Sequence, residues 1–212
     1  MSLKLVIGSK NFSSWSLRAW LALEHVGAPY EEVLVSFGDP DWREQVKRYS
    51  PSGKVPFLID GALEIWDSFA IVEYLHEKFP AANLWPRDPA ARALGRSAAA
   101  EMHSGFTALR QSMPMDIQAH APGKGHTPEV LADAARVQEI WRTCRARHGA
   151  GGPYLLGSFS AADCFYAPVV FRFMSYAVPL DPTARAYYDA MLAHPGVAKW
   201  RIAAQQEPHV DH

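Results

Sequence analysis

Every strand-like segment of this chain lies before residue 67, and this asymmetry limits the possible folds more than any other feature. Short apolar or alternating runs typical of strands occupy residues 3–7, 30–35, 55–60 and 63–66. No strand-like alternation returns after residue 86, and the spacing of apolar residues predicts helices over 88–121, 129–148, 160–178, 182–193 and 195–205. The sequence therefore predicts an α/β domain followed by an all-α helical domain.

The order of strands and helices in the first domain predicts its topology. Helical spacing separates the strand-like runs and covers residues 13–26, 39–48 and 69–79. The early strand–helix–strand unit predicts a parallel pair, whereas the turn at Gly61 predicts an antiparallel hairpin. A four-stranded mixed sheet with three helices follows, which is similar to a thioredoxin-like domain. The expected boundaries are 1–80 for this domain, 81–87 for a linker and 88–212 for the helical domain.

Charge and cysteine content limit the possible partners and location. The formal net charge is −1, so neither nucleic acid nor an anionic membrane surface is an expected partner. The apolar run at residues 3–7 is too short for a signal peptide, and no run approaches the ~20 residues of a membrane span. Cys144 and Cys164 form no Cys-x-x-Cys pair, so we expect free thiols in a soluble, cytoplasmic protein. The histidines do not cluster like metal ligands, and no metal is expected.

The dipeptide Val55-Pro56 opens an apolar run, although proline is excluded from central strands because it lacks a backbone donor. A proline at such a corner is a candidate for a cis peptide bond. That bond would turn the Val55 backbone outward, where it would pair with an extended ligand. Ser68, at the start of the next helix, would offer its hydroxyl and nearby N–H groups to a carboxylate. The alternative is an edge strand that merely begins with proline.

Three serines surround the start of the first helix, at the end of the first strand, where ligands of open α/β sheets gather. At least one of them is expected to cap the helix. The functional alternative is that Ser13 or Ser14 donates a hydrogen bond to a substrate thiolate, which lowers the pKa of the thiol. A serine nucleophile is less favoured, because no Gly-x-Ser-x-Gly motif surrounds these residues.

These motifs together resemble those of the cytosolic glutathione transferases. The resemblance rests on a Ser-Ser-x-Ser-x-Arg turn, a Lys-Val-Pro-x-Leu strand, an Asp-Ser-x-Ala-Ile helix start and an all-helical second half. The box from Ser160 to Asp163 also resembles the capping box of a buried helix in that family. The turn is most similar to the serine-using zeta class, which includes maleylacetoacetate isomerases.

The resemblance implies roles for the matching residues. Ser13 matches the hydroxyl that activates the glutathione thiol, and Ser14 is the neighbouring candidate. The implied glutathione-binding set is Ser13, Lys54, Val55, Pro56, Asp67 and Ser68. The second-substrate pocket is expected to lie between the serine turn and the face of the long helix that follows the linker. The residues expected to line it are Trp15, Met102, Phe106, Arg110 and Met113. Arg18 is expected to orient the turn or to form an ion pair.

The implied activity is conjugation of glutathione, as a co-substrate, to small apolar electrophiles in detoxification by a homodimeric enzyme. The alternatives are a glutathione-dependent isomerase or peroxidase, or a non-catalytic binding protein of the same fold. Trp15 replaces the cysteine usual in zeta enzymes, and Asp67 replaces the more common glutamate. The turn lacks a cysteine, which argues against the types that form mixed disulfides with glutathione. The identity of the electrophile stays open.

Overall fold

The computed structural model describes residues 3–208, which form four strands and nine α-helices. The strands are β1 (Leu3–Gly8), β2 (Tyr30–Val35), β3 (Phe57–Asp60) and β4 (Leu63–Trp66). The helices of the first domain are α1 (Ser14–Val26), α2 (Trp42–Tyr49) and α3 (Ser68–Lys78). The remaining helices are α4 (Pro89–Ser104), α5 (Thr107–Ser112), α6 (Pro128–His148), α7 (Ala161–Tyr176), α8 (Pro182–Ala193) and α9 (Pro195–Gln205).

The four strands form one mixed sheet in the order β2-β1-β3-β4. β1 and β2 are parallel, with Leu3 opposite Tyr30, because α1 connects them as a crossover. β3 and β4 are antiparallel and meet at Gly61, whose φ of 63° is a left-handed conformation that glycine adopts without strain. The predicted sheet topology and fold class are therefore confirmed.

β1 lies at the centre of the sheet and separates two layers of core. Leu5 and Ile7 belong to the large core, which continues beneath α1 and α3 into the helical domain. Val6 points to the other face, where it packs with Val46 of α2 and Phe57 in a smaller core. Because side chains alternate along a strand, one short segment supplies both layers. The open end of β1 then leads directly into the turn before α1.

The helix α7 connects the two domains. Nearly all of its side chains are buried, and it packs against α1 of the first domain and α4 of the second. Its first turn has the predicted capping box, in which the Asp163 carboxylate accepts hydrogen bonds from the Ser160 N–H and hydroxyl, each at 2.9 Å. The same carboxylate accepts from the Leu155 N–H at 3.1 Å, so it also fixes the segment that precedes the helix.

The prediction of a single helix over 88–121 is wrong. α4 ends at Ser104, and Phe106 takes a left-handed φ of 58° before α5 begins. Gly105 makes this break sterically possible, since a Cβ there would lie 2.8 Å from the Glu101 carbonyl oxygen. The residues between Ser112 and Pro128 are irregular. Glycine alone within a helical pattern is a weak signal, which is why the pattern concealed the break.

Both cysteines are free, as expected; both are also buried, and burial raises the pKa of each thiol. A thiol with a raised pKa is a poor nucleophile, so neither residue is a candidate for thiol chemistry. Within residues 3–208, no helix has both the length and the apolar character that a bilayer crossing requires.

Candidate active site

An open cavity of about 680 Å³ lies where β1 and α1 meet the start of β3 and the end of β4. Three segments of the first domain form its wall, and two aromatic side chains, Phe37 and Trp42, close one side. The segments are residues 12–15, 52–56 and 66–68. Every residue of the predicted glutathione-binding set lines this cavity.

The two serines of the turn have different hydrogen bonds. The Ser13 hydroxyl donates to the Ser16 Oγ at 2.7 Å and accepts the Ser16 N–H at 3.4 Å, and it thereby caps α1. The Ser16 Oγ in turn accepts from the Gly8 N–H at 3.1 Å. The Ser14 hydroxyl, by contrast, has no hydrogen bond to any residue in the described part of the chain. Ser14 therefore has a free donor at the cavity, whereas the Ser13 hydroxyl donates to the Ser16 Oγ.

The Val55–Pro56 peptide bond is cis, which confirms the prediction from sequence. Val55 is half-buried and lies outside the strand pairings, which begin at Phe57. The backbone hydrogen bonds found elsewhere in residues 3–208 do not use Val55 either. Its N–H and C=O are therefore available to an extended ligand in the cavity. Lys54 beside it is exposed, and its N–H donates to the Ser52 hydroxyl at 3.3 Å.

Asp67 and Ser68 begin α3 at the opposite wall. Asp67 has a φ of 72°, and its carboxylate accepts the Phe69 N–H at 2.7 Å as the cap of α3. The side chain is 44% exposed, so it still faces solvent in the cavity. The Ser68 hydroxyl is buried and has no hydrogen bond within residues 3–208. Because buried polar groups are almost always paired, this hydroxyl is a natural partner for a polar atom of a ligand.

His103 of α4 brings the helical domain to this wall. Its Nε2 lies 3.3 Å from the Asp67 carboxylate, and its ring meets the edge of the Trp15 ring, with centroids 5.1 Å apart. Burial lowers the pKa of His103; the nearby Arg18 and Arg110 charges act in the same direction, and Asp67 opposes them. The imidazole is therefore mainly neutral near pH 7, and the negative charge of Asp67 is left available for a cation in the cavity.

Arg18 lies behind the turn and has no exposed surface. Its three guanidinium nitrogens find no hydrogen-bond partner in residues 3–208, and the group stacks 4.2 Å from the centroid of the Trp15 ring. Burial lowers its pKa well below the ordinary value, and the charges of Arg110 and Arg172 lower it further. Of the two expected roles, the contacts favour orienting the turn through Trp15, since no ion pair is formed within the described residues.

The predicted second-substrate residues do not all reach the cavity. Trp15 lines it and is 36% exposed, but Met102 and Met113 have no exposed surface. Phe106 is also buried, and Arg110 instead donates to carbonyls at the end of α4, among them that of Gly105 at 2.9 Å. None of these four residues lines the cavity, although the Arg110 guanidinium lies 5.0 Å from the centroid of the Trp15 ring, and their role toward a second substrate stays a prediction. The helical pattern placed them on α4 and α5 but did not define which face packs into the core.

The aromatic walls of the cavity were missed by sequence reasoning. Phe12, Phe37, Trp42 and Trp66 all line it, and Trp66 is 51% exposed at the end of the edge strand. One signal was available, because a large aromatic residue directly before the Asp-Ser pair must lie near whatever that pair binds. These rings make the cavity largely apolar outside its hydrogen-bonding groups.

Comparison with known proteins assigns both halves of the chain to one family. The N-terminal domain family of the glutathione S-transferases matches residues 12–78, and the C-terminal domain family matches residues 117–203. Among curated proteins, glutathione S-transferase Z2 of Arabidopsis thaliana is 30% identical over 194 residues, which are 87% of this chain and 85% of that protein. The maleylacetoacetate isomerase of Rattus norvegicus is 29% identical over 184 residues, 80% of this chain and 77% of that one.

A solved structure also supports the assignment to this family. The theta class glutathione S-transferase from Xanthomonas axonopodis pv. citri, with glutathione bound, superposes with a TM-score of 0.67 and is 25% identical, covering 97% of this chain and 99% of that chain. The matched regions include the serine turn, the Val55–Pro56 corner and the Asp67–Ser68 pair. The chain therefore belongs to the glutathione S-transferase family and is zeta-like within it.

Proposed function

We propose that the protein is a glutathione transferase that joins the glutathione thiol to an electrophilic carbon of small apolar substrates. The observation that carries the proposal is a set of polar groups around one cavity that either have no hydrogen bond within residues 3–208 or, like the Asp67 carboxylate, are exposed and can accept more. The Ser14 hydroxyl, the Val55 backbone, the Asp67 carboxylate and the buried Ser68 hydroxyl all line it. In that order, these groups can bind the thiol, the peptide backbone, the ammonium and the carboxylate of glutathione.

The γ-glutamyl end of glutathione would bind at α3. Its ammonium pairs with the Asp67 carboxylate, and its carboxylate accepts hydrogen bonds from the Ser68 hydroxyl and the N-terminal N–H groups of the helix. The cysteinyl part pairs with the backbone of Val55, held at the Pro56 corner. The Lys54 ammonium, on the exposed rim, attracts the glycyl carboxylate.

The thiol would then lie at the start of α1. A hydrogen bond from the Ser14 hydroxyl and the positive end of the helix both stabilise the thiolate, so the proton leaves the thiol more readily. The thiolate sulfur forms a bond to the electrophilic carbon, and the leaving group departs with its electron pair. Ser13, whose hydroxyl donates to the Ser16 Oγ, supports the turn that presents Ser14.

Apolar electrophiles would bind against the aromatic walls. Trp15, Trp42 and Trp66 surround the space beside the turn, and stacking on such rings is tolerant of ligand shape. The gain over the uncatalysed reaction comes from stabilising the thiolate and from holding two reactants together.

The test is a calorimetric titration with glutathione, followed by a conjugation assay with a chlorodinitrobenzene. We expect saturable binding at or below millimolar glutathione and a rate that depends on the enzyme. The matched test variant is Asp67→Asn, which keeps the size of the side chain and the oxygen that caps α3 but removes the negative charge. This variant should bind glutathione about tenfold more weakly, because it loses a charge-assisted hydrogen bond. Absence of binding by the unaltered protein at millimolar glutathione would refute the proposal.

A glutathione-dependent isomerase is the second candidate, and the similarity to the Rattus norvegicus maleylacetoacetate isomerase favours it. Such a reaction adds the thiolate to a double bond and later releases it, so glutathione is not consumed. The assay is turnover of maleylacetoacetate at constant glutathione. Turnover there, with none of chlorodinitrobenzene, would favour isomerisation.

Location and domain boundaries complete the proposal. A cytoplasmic protein agrees with the two free, buried thiols of Cys144 and Cys164. The glutathione-binding domain would comprise residues 1–80 and the helical domain residues 88–212, with the linker at 81–87.

A further inference from the structure

The turn that presents the two serines is held by the far end of the chain. Lys10 and Asn11 lie between β1 and Ser13, and each has one backbone N–H and one backbone C=O to satisfy. All four of these groups are hydrogen-bonded to residues between 117 and 207. The first domain holds Ser13 of this turn through the Ser9 carbonyl at 2.8 Å, but the shape of the turn at Lys10 and Asn11 depends on contacts from the rest of the chain.

Glu207 supplies two of these four contacts. One carboxylate oxygen accepts the Lys10 N–H at 2.7 Å and the other accepts the Asn11 N–H at 3.0 Å. Hydrogen bonds to an ionised acceptor are about twice as strong as neutral ones. Glu207 forms no ion pair within residues 3–208, and the Lys10 ammonium pairs with Glu32 at 2.5 Å instead. The charge of Glu207 is thus directed at the turn backbone alone.

The other contacts hold the carbonyl groups of the turn. The indole N–H of Trp200, on α9, donates to the Lys10 carbonyl at 2.9 Å. The Ile117 N–H approaches the Asn11 carbonyl at 3.4 Å. The side chain of Asn11 is buried and bonds to the same segment, donating to Asp116 at 2.9 Å.

The segment near residue 117 and the end of α9 are also joined to each other. The Gln118 amide donates to the Ala204 carbonyl at 2.9 Å and to the Glu207 carbonyl at 3.0 Å. Glu207 is therefore held in place by its own backbone while its carboxylate holds the turn. This arrangement resists movement from either side.

We propose that Glu207 is a positioning residue for thiol activation, acting through the turn that presents Ser14. The inference rests on the proposed function, because it concerns the same site. Without the carboxylate, the N–H groups of Lys10 and Asn11 lose their acceptors, and these two residues relax toward solvent, which shifts the start of α1 behind them. The Ser14 hydroxyl then no longer meets the thiolate at a fixed distance. Displacements of about 1 Å at a reacting group cost up to about 100-fold in rate.

The test compares Glu207→Ala and Glu207→Gln with the unaltered protein. The readouts are kcat, the KM for glutathione, and the titration of bound glutathione followed by thiolate absorbance. In Glu207→Ala we expect kcat near pH 7 to fall about tenfold while the KM for glutathione changes less than about threefold. The bound thiol should titrate at higher pH, so the loss of kcat should shrink as the pH rises.

Glu207→Gln separates charge from size. One oxygen still accepts an N–H, but the amide nitrogen meets the second N–H as another donor, so the loss should be intermediate. The matched control is Lys199→Gln, which removes a 2.6 Å ion pair between α9 and Glu24 without contacting the turn. It should keep the kcat and the pH profile of the unaltered protein.

The outcomes separate the two proposals. If the unaltered protein does not bind glutathione, the proposed function is wrong. If it binds and turns over, but Glu207→Ala keeps its kcat and pH profile, the role of Glu207 is wrong. A loss of kcat that is equal at every pH also contradicts it, since that pattern reports general damage rather than thiol activation. If Glu207→Ala does not fold, the same criteria are applied to Glu207→Gln.

Discussion

Ser13 and Ser14 are neighbours with the same side chain, yet their surroundings give them different roles. Ser13 caps α1, and Ser14 is the proposed donor to the glutathione thiolate. Ser13 has the non-helical backbone of an N-cap, so its hydroxyl turns back toward the helix and bonds Ser16. Ser14 is the first helical residue, and its hydroxyl takes no part in that network. The division follows from the position at which the helix begins, and not from residue type.

Ser14→Ala should lower kcat for conjugation by about 100-fold, because it removes the hydroxyl that stabilises the thiolate. Glutathione affinity should change little, since the γ-glutamyl contacts are elsewhere. Ser13→Ala should instead lower the free energy of unfolding by about 1 kcal/mol through loss of the cap. Steady-state kinetics and urea unfolding measure the two effects.

The control for these serine variants is Ser97→Ala. Ser97 is exposed on α4, and its hydroxyl bonds only the Ala93 carbonyl of its own helix. It should alter neither quantity. A large loss of kcat in Ser13→Ala, with normal kcat in Ser14→Ala, would reverse the assignment.

Some residues around the cavity could be predicted from short sequence motifs, whereas the position of others depends on how distant helices pack. The serine turn, the Val55–Pro56 corner and the Asp67–Ser68 pair were predictable, because caps and proline corners depend on a few adjacent residues. Met102 and Met113 were assigned to the pocket but lie in the core. Their position depends on how α4 and α5 rotate against α7, and no short segment of sequence contains that information.

At the scale of elements, the start of α7 shows how a cap controls a long helix. The Asp163 carboxylate is fully buried, and burial raises its pKa to about 6 even though hydrogen bonds from Leu155 and Ser160 lower it. A buried acceptor with three donors is costly to remove, since each donor would be left without a partner.

Asp163→Ala should lower the free energy of unfolding by roughly 3 kcal/mol, because two buried N–H groups and a hydroxyl lose their acceptor. The comparison is Asp88→Ala, which removes a single cap bond to Ala91 at the more exposed start of α4. That change should cost about 1 kcal/mol. Urea denaturation measures both, and equal losses would contradict a special role for the box.

The bounds of most elements were predicted from sequence because glycine, proline and capping residues mark them. α1, α6, α8 and α9 begin and end within about one residue of expectation. The end of α4 was not predicted. Its break depends on close approach of Gly105 to the Glu101 carbonyl and on Arg110, whose guanidinium bonds the carbonyls that the helix end leaves free.

At the scale of the whole molecule, we propose a homodimer, and two exposed apolar side chains support the proposal. Leu63 on the edge strand β4 is 54% exposed, and Leu131 on α6 is 42% exposed. An unpaired edge with large apolar residues is usually covered. We propose that the first domain of one copy contacts the helical domain of the other.

Sedimentation at micromolar concentration should therefore give twice the mass of the 23.5 kDa chain. Leu63→Glu should shift the equilibrium toward the monomer, because burial of an unpaired charge at an interface is unfavourable. The exposed Ile202→Glu on α9 is a control for added charge and should remain dimeric. A monomeric unaltered protein would contradict the dimer.

The bond from Lys10 to Glu207 joins residues 197 positions apart in the sequence. During synthesis, all four strands leave the ribosome long before α9 does. The serine turn therefore cannot form its hydrogen bonds to Trp200 and Glu207 until the end of the chain has been made. Contacts between such distant residues form late in folding, since much of the chain must be ordered first. A nascent chain would therefore fold its first domain early, and the serine turn would reach its native conformation only when residue 207 has emerged.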